Sequence, residues 1–133
     1  MSNERIEREL TVLREGGQRA ELAVGDRLVV LYLDVPTGGA RVGLPMVTDV
    51  IVPVPSGYPA NLIDLAGLTV GSPFLGRVKG GQSNQGVINA AGRQWQLASY
   101  HPHTNGGGPP WDQNRFGFHT YLDELIAWLD CLN

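Results

Sequence analysis

Three residues that could take part in chemistry follow one another at two-residue intervals. Ser99, His101 and His103 would face the same side of an extended strand, because successive strand side chains alternate between faces. A serine hydroxyl with a histidine as its base could form an ester intermediate. The alternative interpretation of Ser99 is an ordinary hydrogen-bonded hydroxyl at the end of a strand.

The His-x-His spacing could also present two imidazoles to one metal ion. Two ligands do not complete a site, and His119 would have to fold back to provide a third. We therefore predict no metal site and no cofactor. For His101 the preferred interpretation is a backbone hydrogen bond within a loop, and the alternatives are acid–base chemistry or contact with a partner.

Cys131 is the only cysteine, which excludes a disulfide within the chain and a thiolate metal cluster. A single cysteine is in keeping with a reducing compartment. It falls in the last turn of the predicted C-terminal helix, where a small side chain packed at a helix end is the preferred interpretation. The functional alternative is a displaced nucleophile.

The composition is that of a globular protein without a nucleic-acid or membrane partner. The chain has 133 residues, the size of one domain, of which 42% are apolar and 17% charged. The net charge is −3 and no basic run stands out, which argues against nucleic acid. No apolar run approaches the ~20 residues that a membrane helix needs, and the charged N-terminus lacks a signal-peptide core. We therefore expect a cytoplasmic protein.

Hydrophobic periodicity predicts a helix near each end of the chain and strands between them. The first helix carries an apolar stripe and stops at a glycine pair, and the last helix carries a long buried stripe. The predicted helices are Ser2–Glu15 and Phe118–Leu132, and the predicted strands are Arg19–Val24, Arg27–Val35, Val47–Val54 and Gln94–Tyr100. Residues 57–92 are rich in Gly, Ser, Asn and Pro, and we predict a long loop with a small hairpin there.

The strand patterns also predict which side each residue faces. Leu28–Leu33 is apolar on both faces, which indicates a central strand. In the next strand, Val50 and Val52 share one face and Ile51 takes the other. The residues of the last strand that share a face are Trp95, Leu97 and Ser99. The order helix, four strands, irregular crossing segment and helix predicts an α+β fold.

This order of elements and three short motifs resemble the ubiquitin-conjugating (UBC) fold. The motifs are Pro55-Ser56-Gly57-Tyr58-Pro59, Tyr100-His101-Pro102-His103, and Trp111 followed by the last helix. The first is similar to the P-x-x-Y-P element, in which prolines stiffen the exit turn and the tyrosine ring packs under the sheet. The second is similar to the tyrosine/phenylalanine-His-Pro-Asn signature of conjugating enzymes.

More narrowly, the chain resembles the small prokaryotic conjugating-enzyme-like proteins of family E. The residues that carry this resemblance are Trp95, His101, Trp111 and Thr120-Tyr121-Leu122. It implies one UBC-like domain over residues 1–133, with a Gly-rich insertion at about 66–92. The implied fold has an N-terminal helix, a four-stranded antiparallel meander, an irregular crossing loop and a C-terminal helix.

The resemblance also implies a setting, namely a bacterial ubiquitin-like modifier system. The implied partners are a ubiquitin-like protein and an activating-enzyme-like adenylyltransferase, and a JAB-type metalloprotease that removes the modifier is a further candidate. The residues we predict to bind partners are Arg5, Arg8, Tyr58, Asn105 and Trp111, and the candidate catalytic residues are Ser99, His101, His103 and Cys131.

The chain departs from the family where the catalytic cysteine is expected. The segment from Thr104 to Pro110 contains no cysteine, although a conjugating enzyme carries its modifier as a thioester. The family asparagine that supports the oxyanion is replaced by His103, and Asn105 could substitute for it at a spacing shifted by two. Trp111 is either a core residue under this loop or an exposed anchor for a partner.

Three hypotheses of function follow. In the first, the domain binds a ubiquitin-like protein or an activating enzyme without catalysis, through Arg5, Arg8 and Glu9 on the exposed face of the first helix. In the second, it is a conjugating enzyme with an unusual nucleophile, Ser99 or Cys131, assisted by His101. The third is a generic protein-interaction domain outside ubiquitin biology.

Overall fold

The computed structural model describes residues 4–58, 60, 63, 65–74, 86–99, 112 and 115–131. Within these ranges the chain forms two α-helices, a short 3-10 helix and six β-strands. The elements are α1 (Glu4–Glu15), β1 (Ala20–Val24), β2 (Leu28–Pro36), the 3-10 helix (Gly39–Val42), β3 (Val47–Pro53), β4 (Leu65–Thr69), β5 (Val87–Ala90), β6 (Arg93–Ser99) and α2 (Phe118–Cys131). The predicted α+β class is confirmed, and the predicted helices and four predicted strands are present.

The six strands form one antiparallel sheet in the order β1-β2-β3-β4-β6-β5. The prediction of a four-stranded meander is therefore wrong. The strand predicted as the fourth, β6, does not lie beside β3, because β4 separates them. Gly67 of β4 pairs with Ile51 of β3 and with Leu97 of β6.

The extra strand β4 comes from the stretch predicted to be a Gly-rich insertion. Its sequence, Leu-Ala-Gly-Leu-Thr, contains weak strand formers, which is why the propensity argument missed it. Glycine nevertheless fits this position, because a Cβ on Gly67 would lie 2.8 Å from Ile51 Cγ1 and 3.0 Å from Leu97 Cδ2. Close packing from both neighbouring strands therefore selects glycine here.

The second extra strand, β5, forms a hairpin, as predicted for this stretch, but its partner strand is β6. The sequence suggested a hairpin contained within residues 57–92. The turn between β5 and β6 holds Ala91 and Gly92, which both have positive φ angles, 52° and 74°. Two such residues in succession are typical of the type I′ turn that suits the twist of a hairpin.

The sheet curls until its first hairpin meets its last one. Gly25, in the turn between β1 and β2, forms an isolated bridge with Ala90 of β5. The Asp26 N–H donates to the Asn89 carbonyl at 2.8 Å, and the Asn89 N–H donates to the Asp26 carboxylate at 2.8 Å. A Cβ on Gly25 would overlap the Asn89 carbonyl oxygen, so this close approach needs glycine.

The two faces of the curled sheet carry separate apolar clusters. Val50 and Val52 lie in the cluster that packs against both helices, and Ile51 lies in the cluster on the other face, as the alternation predicted. β2 is buried on both faces and lies between β1 and β3, which confirms it as an inner strand. Trp95 and Leu97 share the second cluster. The Ser99 side chain lies outside the described part of the structure.

The helix α1 ends as predicted at the glycine pair. Gly17 adopts a φ of 93°, and the N–H of Gln18 donates to the carbonyl of Leu13 at 2.9 Å. This arrangement satisfies carbonyls at the helix end that have no partner within the helix. No helix in the described ranges combines the length and the apolar character needed to cross a membrane.

Candidate functional site

Four of the predicted site residues lie outside the described part of the chain. Those residues are His101, His103, Asn105 and Trp111. Ser99 is the last residue of β6 and pairs with Leu65 of β4, and Cys131 is the last residue of α2. The side chains of Ser99 and Cys131 also lie outside the description, so the catalytic hypotheses stay predictions.

Tyr58 of the P-x-x-Y-P motif lies between the two helices. Its side chain is 4% exposed. Its hydroxyl donates to Glu9 Oε1 of α1 at 2.6 Å, and its ring centroid lies 4.9 Å from that of Phe118 in α2. The tyrosine was predicted to pack under the sheet. It belongs to the apolar cluster on the helix face, where its hydroxyl joins the two helices.

Glu9 is buried, with 6% of its surface exposed, and the prediction that it is an exposed docking residue is wrong. Its position in α1 places it beside the apolar stripe, next to Leu10. The carboxylate accepts hydrogen bonds from the Tyr58 hydroxyl, from the Phe118 N–H at 3.0 Å and from Arg5 Nε at 2.8 Å. Three donors compensate for the removal of this carboxylate from water.

The same carboxylate caps the start of α2. Phe118 is the first residue of that helix, and a negative charge at a helix start interacts favourably with the helix dipole. Gly117, just before it, leaves the space that the carboxylate needs, because a Cβ there would lie 2.5 Å from Glu9 Oε2. The Gly117 N–H donates to Thr120 Oγ1 at 3.0 Å, as in a capping box.

Arg5 joins this group from the solvent side. Its Nε donates to Glu9, and its Nη2 donates to the carbonyl of Phe116 at 3.0 Å. Its guanidinium carbon also lies 5.6 Å from the centroid of the Tyr58 ring. We call Arg5, Glu9, Tyr58 and Phe118 the Glu9 cluster. It ties α1 to the turn after β3 and to the start of α2.

The tyrosines of this region act as hydrogen-bond donors at neutral pH. Burial, the hydrogen bond to Glu9 and the negative charge of Glu9 raise the pKa of Tyr58 well above its usual value. Burial likewise raises the pKa of Tyr32, whose hydroxyl donates to the Phe118 carbonyl at 2.6 Å. A tyrosine with a raised pKa keeps its proton, so these hydroxyls hold the helices in place and do not supply a base.

A groove of about 240 Å³ runs along the outer side of the Glu9 cluster. We call it the α1–α2 groove, and its lining residues are Arg5, Arg8, Glu9, Val12 and His119. Arg8 is exposed and Val12 is 54% exposed. His119 Nδ1 is buried without a hydrogen-bond partner in the described part of the structure. The groove therefore combines charged, apolar and imidazole groups on one surface.

The sequence contained one signal for this site and lacked another. The charged residues Arg5 and Arg8 at the start of α1 were predicted as a binding face, and both line the groove. The contribution of His119 was not predicted, because it depends on the packing of α2 against α1. Among the residues that the structure describes, no group of three His, Cys, Asp or Glu side chains could hold a metal ion.

Comparison of the chain with family models, with curated proteins and with solved structures found no match in any of the three. The resemblance to UBC-like proteins therefore rests on the sequence motifs alone.

Proposed function

We propose that this chain is a ubiquitin-conjugating-like component of a bacterial ubiquitin-like modifier system that acts by binding. Its partners are the ubiquitin-like protein or the activating-enzyme-like adenylyltransferase, with a JAB-type metalloprotease as a further member of the system. The modifier is not carried on a cysteine in the segment between the last strand and the last helix, because that segment has none.

The observation that carries the proposal is the α1–α2 groove with its exposed Arg8 and Val12. An exposed arginine beside an exposed valine supplies both the charged and the apolar contacts that protein interfaces use. The Glu9 cluster fixes α1 against the rest of the domain before any partner arrives. A surface that is already ordered loses less conformational entropy on binding.

The architecture supports the proposal at the level of class. An N-terminal helix, an antiparallel sheet and a C-terminal helix occur in the order that the UBC resemblance implies. The strand β4 lies between β3 and β6, and β5 pairs with the outer edge of β6, so the sheet has six strands. Tyr58 of the P-x-x-Y-P element supports the helix that carries the groove.

The first experiment asks whether the chain forms a covalent intermediate. The protein is incubated with its cognate modifier, the activating enzyme and ATP, and adducts are separated by gel electrophoresis with and without thiol. We expect binding and no adduct. A thiol-labile adduct that disappears in Cys131→Ser, or a base-labile adduct that disappears in Ser99→Ala, would replace this proposal with the conjugating-enzyme hypothesis. His101→Ala then tests the assisting base.

The second experiment asks whether α1 is the docking surface. The affinity for the activating enzyme and for the modifier is measured by calorimetry for the wild-type protein, Arg8→Glu and Arg27→Glu. Both variants make the same change of charge at an exposed arginine, and Arg27 lies in the turn between β1 and β2. We expect Arg8→Glu alone to weaken binding. If neither the activating enzyme nor the modifier binds the wild-type protein, a generic protein-interaction domain becomes the better description of the chain.

A further inference from the structure

Two arginines and one glutamate are among the five residues that line the α1–α2 groove, so positive charge is in excess there. The only acidic residue among them, Glu9, directs its carboxylate to Tyr58 and to the start of α2. The Glu9 carboxylate also pairs with the Arg5 guanidinium group, so the charge that remains toward the groove is that of Arg8. Among the described residues, no carboxylate pairs with Arg8, whereas Arg5 is paired with Glu9. This charge distribution complements a carboxylate-bearing ligand.

Arg5 belongs both to the groove and to the Glu9 cluster. Its Nε donates to Glu9 and its Nη2 donates to the carbonyl of Phe116, just ahead of α2. A ligand carboxylate that binds Arg5 competes with Glu9 for the same guanidinium group. The hydrogen bond from Arg5 Nη2 to the Phe116 carbonyl would then be lost, so the backbone just ahead of α2 would be held less firmly and the start of α2 would open more often.

We infer that the α1–α2 groove receives an acidic segment of a protein partner, and that its occupation loosens the start of α2 through Arg5. This inference rests on the proposed function for the identity of the partner, and it adds the chemistry of the contact and its consequence. Residues 116–118 follow directly on the segment that contains His101, His103 and Trp111. Docking on α1 is thereby coupled to the opening of the first turn of α2, as two linked equilibria of one domain.

The test uses a tetraglutamate peptide with blocked ends as the probe and a tetraglutamine peptide as its control. The full chain, labelled with nitrogen-15, is titrated with each peptide, and amide shifts and hydrogen-exchange rates are followed by NMR. We expect tetraglutamate to shift the signals of Arg5, Arg8 and His119 in a saturable manner. We also expect it to speed exchange of the Phe118 amide by at least about fivefold. Arg8→Gln should weaken the binding about two- to fivefold.

Two results would overturn the inference. One is the absence of saturable shifts with tetraglutamate, or equal shifts with tetraglutamine, since the groove would then lack preference for carboxylates. The other is binding with an unchanged or slower exchange of the Phe118 amide, since Arg5 would then not couple the two sites.

The failure of the inference can be told apart from the failure of the proposed function. If the activating enzyme or the modifier binds but tetraglutamate does not, the proposed function holds and the inferred contact with an acidic segment is rejected. If tetraglutamate binds and speeds exchange of the Phe118 amide, but neither the activating enzyme nor the modifier binds, the inference about the groove holds and the proposed role in a modifier system is rejected.

Discussion

The Glu9 carboxylate lies 3.0 Å from the amide nitrogen of Phe118, although 109 positions separate the two residues along the chain. This hydrogen bond joins the first helix to the first residue of the last one. The Tyr58 hydroxyl donates to the same carboxylate oxygen at 2.6 Å. One acidic side chain thus sets the mutual position of α1, the turn after β3 and α2, and the two helices line the candidate docking surface.

The first prediction compares two buried tyrosines that each donate one hydrogen bond of 2.6 Å. Tyr58 donates to the Glu9 carboxylate and Tyr32 to the Phe118 carbonyl. Tyr58→Phe should lower the free energy of unfolding by about 1.5–3 kcal/mol and Tyr32→Phe by about 0.5–1.5 kcal/mol, because bonds to charged groups are stronger. Urea denaturation monitored by tryptophan fluorescence measures both. Equal losses, or a larger loss in Tyr32→Phe, would mean that Glu9 does not behave as a charged acceptor.

The second prediction concerns alkaline pH. Burial and the neighbouring Glu9 raise the pKa of Tyr58 above its ordinary value of 10.0, so the folded protein retains this proton at a pH where the unfolded chain has lost it. Raising the pH therefore favours the unfolded state. The stabilisation is complete below about pH 10 and decreases above it, by up to about 1.4 kcal/mol per pH unit for each such tyrosine. Buried Tyr32 contributes in the same direction.

The alkaline effect is measured as the free energy of unfolding in urea between pH 9 and 11, values chosen to span the ordinary tyrosine pKa of about 10. Tyr58→Phe removes one of the two groups, so its stability should fall less steeply with pH than that of the wild type. Parallel curves for the two proteins would contradict the assignment of this dependence to Tyr58.

The third prediction compares two glycines, one at the start of α2 and one at the end of α1. A Cβ at Gly117 would lie 2.5 Å from Glu9 Oε2, whereas a Cβ at Gly16 would come no closer than 3.5 Å to its nearest neighbour. Gly117→Ala should destabilise the protein by about 1–3 kcal/mol, because the carboxylate must move away from Tyr58 and Phe118. Gly16→Ala should be neutral or stabilising by up to about 1 kcal/mol.

Thermal unfolding followed by circular dichroism measures both variants. A neutral Gly117→Ala would show that the Glu9 side chain can shift without losing its hydrogen bonds. Glycine would then not be required beside this carboxylate at the start of α2.

The fourth prediction concerns the closing contact of the curled sheet. A Cβ at Gly25 would overlap the backbone carbonyl of Asn89, whereas a Cβ at Gly67 would meet only side-chain atoms of Ile51 and Leu97. Side chains can change rotamer and the backbone cannot, so Gly25→Ala should have the larger local effect. We expect the amides of Asp26 and Asn89 to exchange faster in Gly25→Ala than in Gly67→Ala, as measured by NMR.

Unchanged exchange in Gly25→Ala would contradict this prediction. If the Asp26 and Asn89 amides stay protected in Gly25→Ala, the first hairpin must remain attached to β5 by a small backbone shift, and glycine would not be required at this contact.

Local patterns in the sequence predicted those parts of the fold that depend on neighbouring residues. The stripe of α1, the glycine stop after it and the apolar run of β2 each reflect a period or a turn within about ten residues, and all three are present. The alternation of Val50, Ile51 and Val52 likewise assigned each residue to the correct face of the sheet. Such features are fixed by chain geometry before any tertiary contact forms.

Parts of the fold that depend on distant contacts could not be predicted from the sequence. Gly67 suggests a loop, but it occupies a strand because Ile51 and Leu97 pack closely from both sides. Glu9 suggests a solvated helix face, but it is buried, and two of its three donors come from positions far along the chain. The sequence predicted the arginines of the α1–α2 groove, because they lie on α1. It did not predict the contribution of His119, because that depends on where α2 packs.

The bond between Glu9 and Phe118 also affects how the protein is made. A ribosome that adds about 5–20 residues per second needs about 5–20 seconds to proceed from Glu9 to Phe118. Throughout that interval the nascent chain lacks the amide donor that shares the Glu9 charge, and the apolar surface later covered by α2 is open to water and chaperones. Completion of the fold must therefore wait until synthesis reaches α2, and chains that stop before Phe118 should be substrates for proteolysis.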